Sequence, residues 1–302
     1  MAYDTIMVFH DKFKNHILPE KVHMLNVSFL VPVIRREFGG CAGNIAYNLN
    51  LLGGQGHAMA TVGDDFAAYG SWLAKQSLDT RYIRAVESTL TAQAYITTDE
   101  DDNQITAFHP GAMNESHVNF VSQAKGIEVG IVSPDGKQGM QQHAQEFVDA
   151  GVPFIFDPGQ GMPMFSGEEL LELLNLATWA TFNDYESELM QERTGLSLEK
   201  IAERVEALII TLGSEGSKIY TQGTCIEIPS AQAKQLSDPT GCGDAYRAGL
   251  LFGIMNEYNW PTTGRIASLL GSIKIEHHGT QNHSFTMEQF KQQYLDSFGE
   301  SF

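Results

Sequence analysis

From about residue 120 onward, short apolar runs alternate with longer stretches in which apolar and polar positions are mixed. The runs are Ile127–Val132 (IEVGIV), Val152–Phe156 (VPFIF), Thr178–Phe182 (TWATF) and Ala207–Leu212 (ALIITL). Their length and richness in β-branched and aromatic residues read as strands buried on both faces. In the mixed stretches, Met140, Ala144, Phe147 and Val148 recur at i, i+4, i+7 and i+8, and Ile266, Leu269, Leu270 and Ile273 at i, i+3, i+4 and i+7. That spacing predicts helices with one apolar face. Alternating strands and helices of this kind predict an α/β fold, a mostly parallel sheet covered by helices on both faces. Ligands of such sheets bind beyond the carboxyl ends of the strands.

The first third of the chain is patterned differently. Val22–Phe38 (VHMLNVSFLVPVIRREF) and Ala92–Phe108 (AQAYITTDEDDNQITAF) are rich in strand formers, and the second contains an acidic turn, TDEDDNQ. Both read as hairpins, and together they suggest a small β-sheet lid formed by about 13–38 and 92–109; edge strands of the main sheet are the alternative. No Pro/Gly/Ser linker, repeat or low-complexity tract divides the chain, so residues 1–302 read as a single domain.

Composition narrows the function classes. With 302 residues, 42% hydrophobic, the chain is long enough to bury a large core. A net charge of −18 argues against a nucleic-acid surface, which needs Lys and Arg against phosphate. Any phosphorylated ligand must therefore be held by backbone amides, a metal or a few local cations. No run of about 18 apolar residues suggests a membrane span, and the N-terminus lacks signal character, so a cytoplasmic protein is expected. The three cysteines show no CxxC spacing, which disfavours disulfides and structural zinc. Cys41 and Cys242 sit in glycine-rich turns, where a reactive thiol and plain small-residue packing are both open readings. His277, His278 and His283 lack the carboxylate or thiolate company of a metal site.

Chemistry concentrates in four turns. Asp238–Leu251 (DPTGCGDAYRAGLL) runs from a turn into a helix with Ala245, Ala248, Gly249 and Phe252 on one face. It is neither a GxxxxGK[ST] loop nor a GxGxxG fingerprint. Its glycines let unpaired first-turn amides surround one point, an anion hole of Gly241, Cys242 and Gly243 built without basic side chains. Asp244 beside that hole is either a general base for a hydroxyl attacking a bound phosphorus or a residue stabilised by the helix dipole. Phe38–Leu52 (FGGCAGNIAYNLNLL) is a second glycine turn into a helix, carrying Asn44. In Thr181–Glu188 (TFNDYESE), Asn183 and Glu186 suit water-mediated Mg²⁺ binding, or Asn183 simply caps the helix. Ile210–Lys218 (ITLGSEGSK) places Gly213 and Gly216 at a strand end, where a nucleotide can lie against backbone.

In this order and spelling, the turns resemble the ribokinase-like (PfkB) family of sugar and nucleoside kinases along essentially the whole chain. Gly39-Gly40-Cys41-Ala42-Gly43-Asn44 is similar to its GGxxxN signature, Asn183-Asp184-Tyr185-Glu186 to N-x-x-E, and Asp238-Pro239-Thr240-Gly241-Cys242-Gly243-Asp244 to D-T-x-G-A-G-D. The resemblance implies a three-layer αβα core with a β-sheet lid, and ATP with Mg²⁺ as phosphoryl donor, K⁺ being a further candidate cation. Its acceptor is a hydroxyl of a small-molecule nucleoside or sugar. It implies Asp244 as general base and Gly241–Gly243 as anion hole. Asn183, Thr211, Gly213, Gly216 and Asn282 become ATP contacts, and Glu186 a Mg²⁺ organiser. Asp4, Gly39, Gly40, Asn44 and Phe108 become substrate contacts, although only Met1-Ala2-Tyr3 precedes Asp4 where the family has a strand and a Gly turn. Cys242 replaces the family's Ala, and Arg247 stands at a position that reaches a phosphate or is a solvated cation.

The spellings DPTGCGDAYRAG and REFGGCAGNIAYNL look most like bacterial adenosine kinases, so adenosine 5′-phosphorylation is expected, with Leu25, Phe29, Leu30 and Phe108 as candidate walls for a base. A sugar kinase or a guanosine/inosine kinase are alternatives. A non-catalytic binder of the same fold is disfavoured by the presence of both Asp244 and Glu186, which a mere binder of phosphates would lose. Monomer and homodimer are both compatible with the sequence.

Overall fold

The computed structural model describes residues 1–101 and 103–302. In chain order, the first part contains β1 (Ala2–Val8), β2 (Val33–Gly39), α1 (Cys41–Leu51), β3 (Ala60–Val62), α2 (Ala67–Lys75), β4 (Ile83–Ala85), β5 (Ala92–Thr98) and β6 (Gln104–His109). Next come β7 (Gly130–Val132), α3 (Lys137–Ala150), β8 (Phe154–Phe156), α4 (Gly167–Leu176), β9 (Trp179–Asn183), α5 (Asp184–Thr194), α6 (Leu198–Ala202) and β10 (Ala207–Thr211). The remainder forms β11 (Ser217–Thr221), β12 (Thr224–Ile228), α7 (Cys242–Met255), α8 (Trp260–Ile275) and α9 (Met287–Phe298).

The main sheet has the order β12-β11-β10-β9-β8-β7. Its β7 to β10 are the four apolar runs of the sequence and lie parallel, while β11 and β12 add an antiparallel edge. Alternation within the strands builds the layers. Ile155, Ala207 and Ile209 enter a core with α1, α7 and α8, whereas Phe154, Phe156, Leu208 and Ile210 enter a second core under α3 to α6. Two packed faces on one sheet give the three-layer αβα body expected from the sequence. The edge hairpin was not foreseen; its turn, Gln222-Gly223, has positive φ at both residues, as a tight hairpin requires. Val148, assigned to the apolar face of α3, is exposed, and Met140 and Ala144 carry the burial there. No helix among the described residues is long and apolar enough to cross a membrane.

A second sheet has the order β2-β1-β5-β6, and β3 pairs with β4 separately. Ala92–Phe108 does form a hairpin, β5 to β6, although Asp102 of its turn lies outside the described residues. Val22–Phe38 does not. Residues 19–24 form a 3₁₀ turn started by Pro19, and the only strand begins after Pro32, whose missing N–H excludes it from a ladder. That strand pairs antiparallel with β1, a strand that the sequence reading missed and that runs parallel to β5 in the middle of the sheet. Tyr3 of β1 turns to the other side, packing with Tyr69 and Phe38 above α1 and α2.

The helices α7 and α8 approach closely where Gly249 faces Ala267: a Cβ there would overlap the Ala267 backbone. Gly249→Val should therefore wedge them apart and cost about 1–3 kcal/mol. Urea denaturation checks this: the midpoint should fall with little change of slope, and an unchanged midpoint would show that the contact has slack.

Candidate active site

An open cleft of about 1640 Å³ lies between the carboxyl ends of the main-sheet strands and the small sheet. Because β7 to β10 are parallel, their ends reach one edge, where Ser133, Asp157, Asn183 and Thr211 line the cleft. From the small sheet, Asp4, Ala94, Ile96, Thr106 and Phe108 face it. The register explains this: Asp4 sits beside Ala94 and Ala94 beside Phe108, in one row across β1, β5 and β6. The volume exceeds what a single small ligand needs.

The start of α7 enters this cleft. Asp238 prepares the turn: its buried carboxylate accepts from the amides of Thr240 and Gly279 at 3.0 Å each and from Arg35 at 3.0 Å. Burial works against its charge, but the Gly279 and Thr240 bonds and the Lys274 charge hold its carboxyl below the usual range. Gly241 caps the helix at φ 81°, with Thr280 packed where a side chain would stand. The Cys242 amide donates to the Pro239 carbonyl at 3.1 Å. Among the described residues, the amides of Gly241, Gly243 and Asp244 have no such partner, and they are the free donors of the turn.

Asp244 is held from the side by the second glycine turn. Asn44 Nδ2 donates to Asp244 Oδ2 at 2.7 Å, and Asn44 Oδ1 accepts from Gln281 Nε2 at 2.9 Å. Gln281 is fixed in turn by Trp72 Nε1 at 3.0 Å and by the Tyr69 hydroxyl at 2.6 Å. Burial raises the Asp244 carboxyl, the Asn44 bond opposes this, and the Asp157 charge adds to it. Asp4 lies nearby, under Gly39, whose lack of a side chain makes room for its carboxylate. Burial and then the Asp244 charge push the Asp4 carboxyl up to about 7.

A third group sits at the ends of β8 and β9. Asn183 and Glu186 form a capping box on α5: Asn183 Oδ1 accepts from the Glu186 amide at 2.7 Å, and Glu186 Oε2 from the Asn183 amide at 2.8 Å. Glu186 Oε1 accepts no hydrogen bond from the described residues. Arg247, one turn into α7, is buried rather than solvated. It donates to Asp157 Oδ1 at 2.9 Å and lies 3.9 Å from Glu186 Oε2. Burial works against its charge, but these carboxylates hold its pKa above the ordinary value. Burial pushes the Cys41 and Cys242 thiols up, to about 11 for Cys242, so neither is a poised nucleophile.

The cleft thus brings together Asp4, Gly40, Asn44, Phe108, Asn183, Glu186, Thr211, Gly213, Gly241, Gly243 and Asp244. Four expected residues do not line it. Gly39 acts from beneath Asp4. Cys242 points away, with its amide already engaged. Gly216 closes the turn after β10 by accepting from the Leu212 amide, and the Ile228 carbonyl fills the space a side chain there would need. Asn282 is exposed and committed to Glu37 and the His278 carbonyl; its neighbour Gln281 is the one that turns inward. Of the expected apolar walls, Phe29 packs at a tilt against Phe9 and Phe13, and Leu25 and Leu30 are exposed outside the cleft. Asp157 and Gln281 were missed. Asp157 follows the apolar run VPFIF directly, a strand-end position that could have flagged it.

The family model described as pfkB family carbohydrate kinase matches residues 4–287. The chain is similar to a nucleoside kinase of Methanocaldococcus jannaschii, 33% identical over 89% of each chain. Its structure is similar to the nucleoside kinase of Burkholderia thailandensis in complex with inosine, at TM-score 0.93 and 50% identity over 99% of this chain and 96% of that one. The same enzyme in complex with ADP-inosine matches at TM-score 0.91 and 52% identity, over 99% and 94%.

The raised Asp4 carboxyl has a thermodynamic consequence. An acid whose folded pKa exceeds its unfolded one contributes stability that is complete below the unfolded value and lost as pH rises through the folded value. The unfolding free energy should therefore carry a decline from the ordinary carboxylate range up to about pH 7, and Asp4→Asn should make it shallower. Denaturation at a series of pH values checks this; identical profiles for both proteins would refute it.

Proposed function

The chain belongs to the pfkB family of carbohydrate kinases, phosphotransferases acting on a hydroxyl with ATP as donor, and we propose that it is a purine nucleoside kinase. The observation that carries this reading is Asp244: a carboxylate oriented by Asn44, set beside free first-turn amides, in a cleft large enough for two substrates. A simple anion site would exclude such a charge, whereas a phosphoryl transferase needs a base there.

In the proposed step, the 5′-oxygen of the nucleoside forms a bond to the γ-phosphorus as the bond from that phosphorus to the bridging oxygen of ADP breaks. ADP leaves with the electron pair, and Asp244 takes the hydroxyl proton. The Gly241, Gly243 and Asp244 amides receive charge developing on the phosphoryl oxygens. Burial holds the Asp244 carboxyl above the usual carboxylate range, which makes it a stronger proton acceptor than a solvated aspartate. Asp4 and Gly40 hold the ribose, and Phe108, with Ala94 and Ile96, offers an apolar wall to the base. Thr211 and Gly213, which line the cleft at the end of β10, would contact the nucleotide.

Mg²⁺ fits the chain on the chemistry of its donors. Glu186 offers a free carboxylate oxygen with Asp157 close by, and no cluster of three or more His, Cys, Asp or Glu among the described residues would cage an ion directly. Glu186 and Asp157 would hold it through water, with the rest of its shell from phosphate. When bound, it neutralises phosphate charge. Arg247 keeps those two carboxylates from repelling each other.

The sequence reading singles out adenosine. The inosine bound to the Burkholderia relative supports the wider purine class, and the wider class is the one assigned. ADP release measured with adenosine, inosine, guanosine, ribose and fructose tests it: turnover should be confined to the nucleosides, and turnover of only the sugars would overturn it. Asp244→Asn should lower kcat by about 10²–10⁴-fold with ATP affinity retained; near-normal turnover would remove Asp244 from the mechanism.

A further inference from the structure

Lys274 is a fully buried lysine, 0% exposed, that no step above uses. It sits in the last turn of α8, where the helix dipole favours a cation. Its ammonium donates to the Asp238 carbonyl at 2.7 Å and to the His277 carbonyl at 3.0 Å. A buried ammonium is costly unless its donors are satisfied, so these carbonyls are part of a built cage rather than incidental neighbours. Burial works against its charge, which Cys242 at the start of α7, Asp238 from the turn before it and Glu37 of β2 favour and Arg35 of β2 opposes.

The cage joins two segments that both lead to Asp244. One is the turn Asp238–Gly241, which runs into the free amides of α7; the Ser237 and Asp238 amides are themselves bonded to the Ile275 carbonyl. The other is the loop after α8. There Gly279 donates to the Asp238 carboxylate, Thr280 packs on Gly241, and Gln281 supports Asn44. The ammonium therefore ties the position of the amides to the position of the base. Main-chain carbonyls converging on a single positive charge are also the donors that hold a monovalent cation.

We propose that Lys274 is a positioning residue whose ammonium serves as a resident monovalent cation, aligning the start of α7 with Asp244 so that no K⁺ is needed for phosphoryl transfer. This rests on the reading of that turn as the phosphoryl site.

The test compares wild type and Lys274→Ala, which vacates the cage, in choline buffer with and without KCl or NH₄Cl, using inosine and adenosine as acceptors. Wild-type kcat should change by less than about twofold on adding either cation. Lys274→Ala should lose about 10- to 100-fold in kcat, the scale of charge-assisted hydrogen bonds, and regain most of it with K⁺ or NH₄⁺. A purely structural lysine would show no such rescue. Stimulation of the wild type by K⁺ overturns the proposal, as does a folded variant with normal kcat or one that neither cation restores. If the variant does not fold, the wild-type arm decides alone. Absence of nucleoside turnover by wild type in every buffer would instead refute the kinase reading itself.

Discussion

A carboxylate and a polyphosphate repel each other, yet in the proposed reaction both are directed to the first turn of α7. The rest of the site is arranged around that conflict. Free amides of Gly241, Gly243 and Asp244 supply partial positive charge without a counter-ion that would neutralise the base. Asn44 holds Asp244 by a neutral amide, which orients the carboxylate while only partly offsetting the rise that burial gives it. A Lys or Arg in that position would have lowered the carboxyl's pKa and weakened it as a proton acceptor.

The same constraint organises the charges further out. In a chain of net charge −18, the cations near the cleft are few, with Arg247 buried and Arg35 partly so. Arg247 is spent on Asp157 and Glu186, keeping two carboxylates close enough to meet one hydrated ion. Arg35 reaches from β2 to Asp238, so the small sheet is linked to the turn that precedes the amides. Thr280 adds a bond to the Phe38 carbonyl, and Glu37 accepts from Asn282. The sheet that walls the acceptor side and the turn that faces the donor side are thus parts of one hydrogen-bonded unit.

What could be read in the sequence was whatever is local. The glycines before Asp244 and Asn44, and the apolar runs that became β7 to β10, declare themselves because the residues concerned are neighbours in the chain. Contacts that close across 200 or more positions do not: Asn44 to Asp244, Gln281 to Asn44 and Arg35 to Asp238 depend on the folded packing. Asn282 and Gln281 show the limit clearly. They are adjacent polar residues in one loop, and only the path of that loop over α1 decides which one turns inward. The misplaced hairpin had a local cause that was legible, since Pro32 bars the residue from a ladder. Asn183 and Glu186 satisfy the capping reading and leave one oxygen of Glu186 free, so the two readings of that stretch are compatible.

The central claim concerns which proton Asp244 takes, and a crystal structure with a purine nucleoside, ADP and Mg²⁺ bound addresses it directly. The account predicts the nucleoside 5′-oxygen within about 2.6–3.2 Å of an Asp244 carboxylate oxygen, with the terminal phosphate of ADP facing the Gly241 and Gly243 amides. A nucleoside whose 5′-hydroxyl points instead to solvent or to Asp4, with Asp244 bonded only to Asn44, would contradict it.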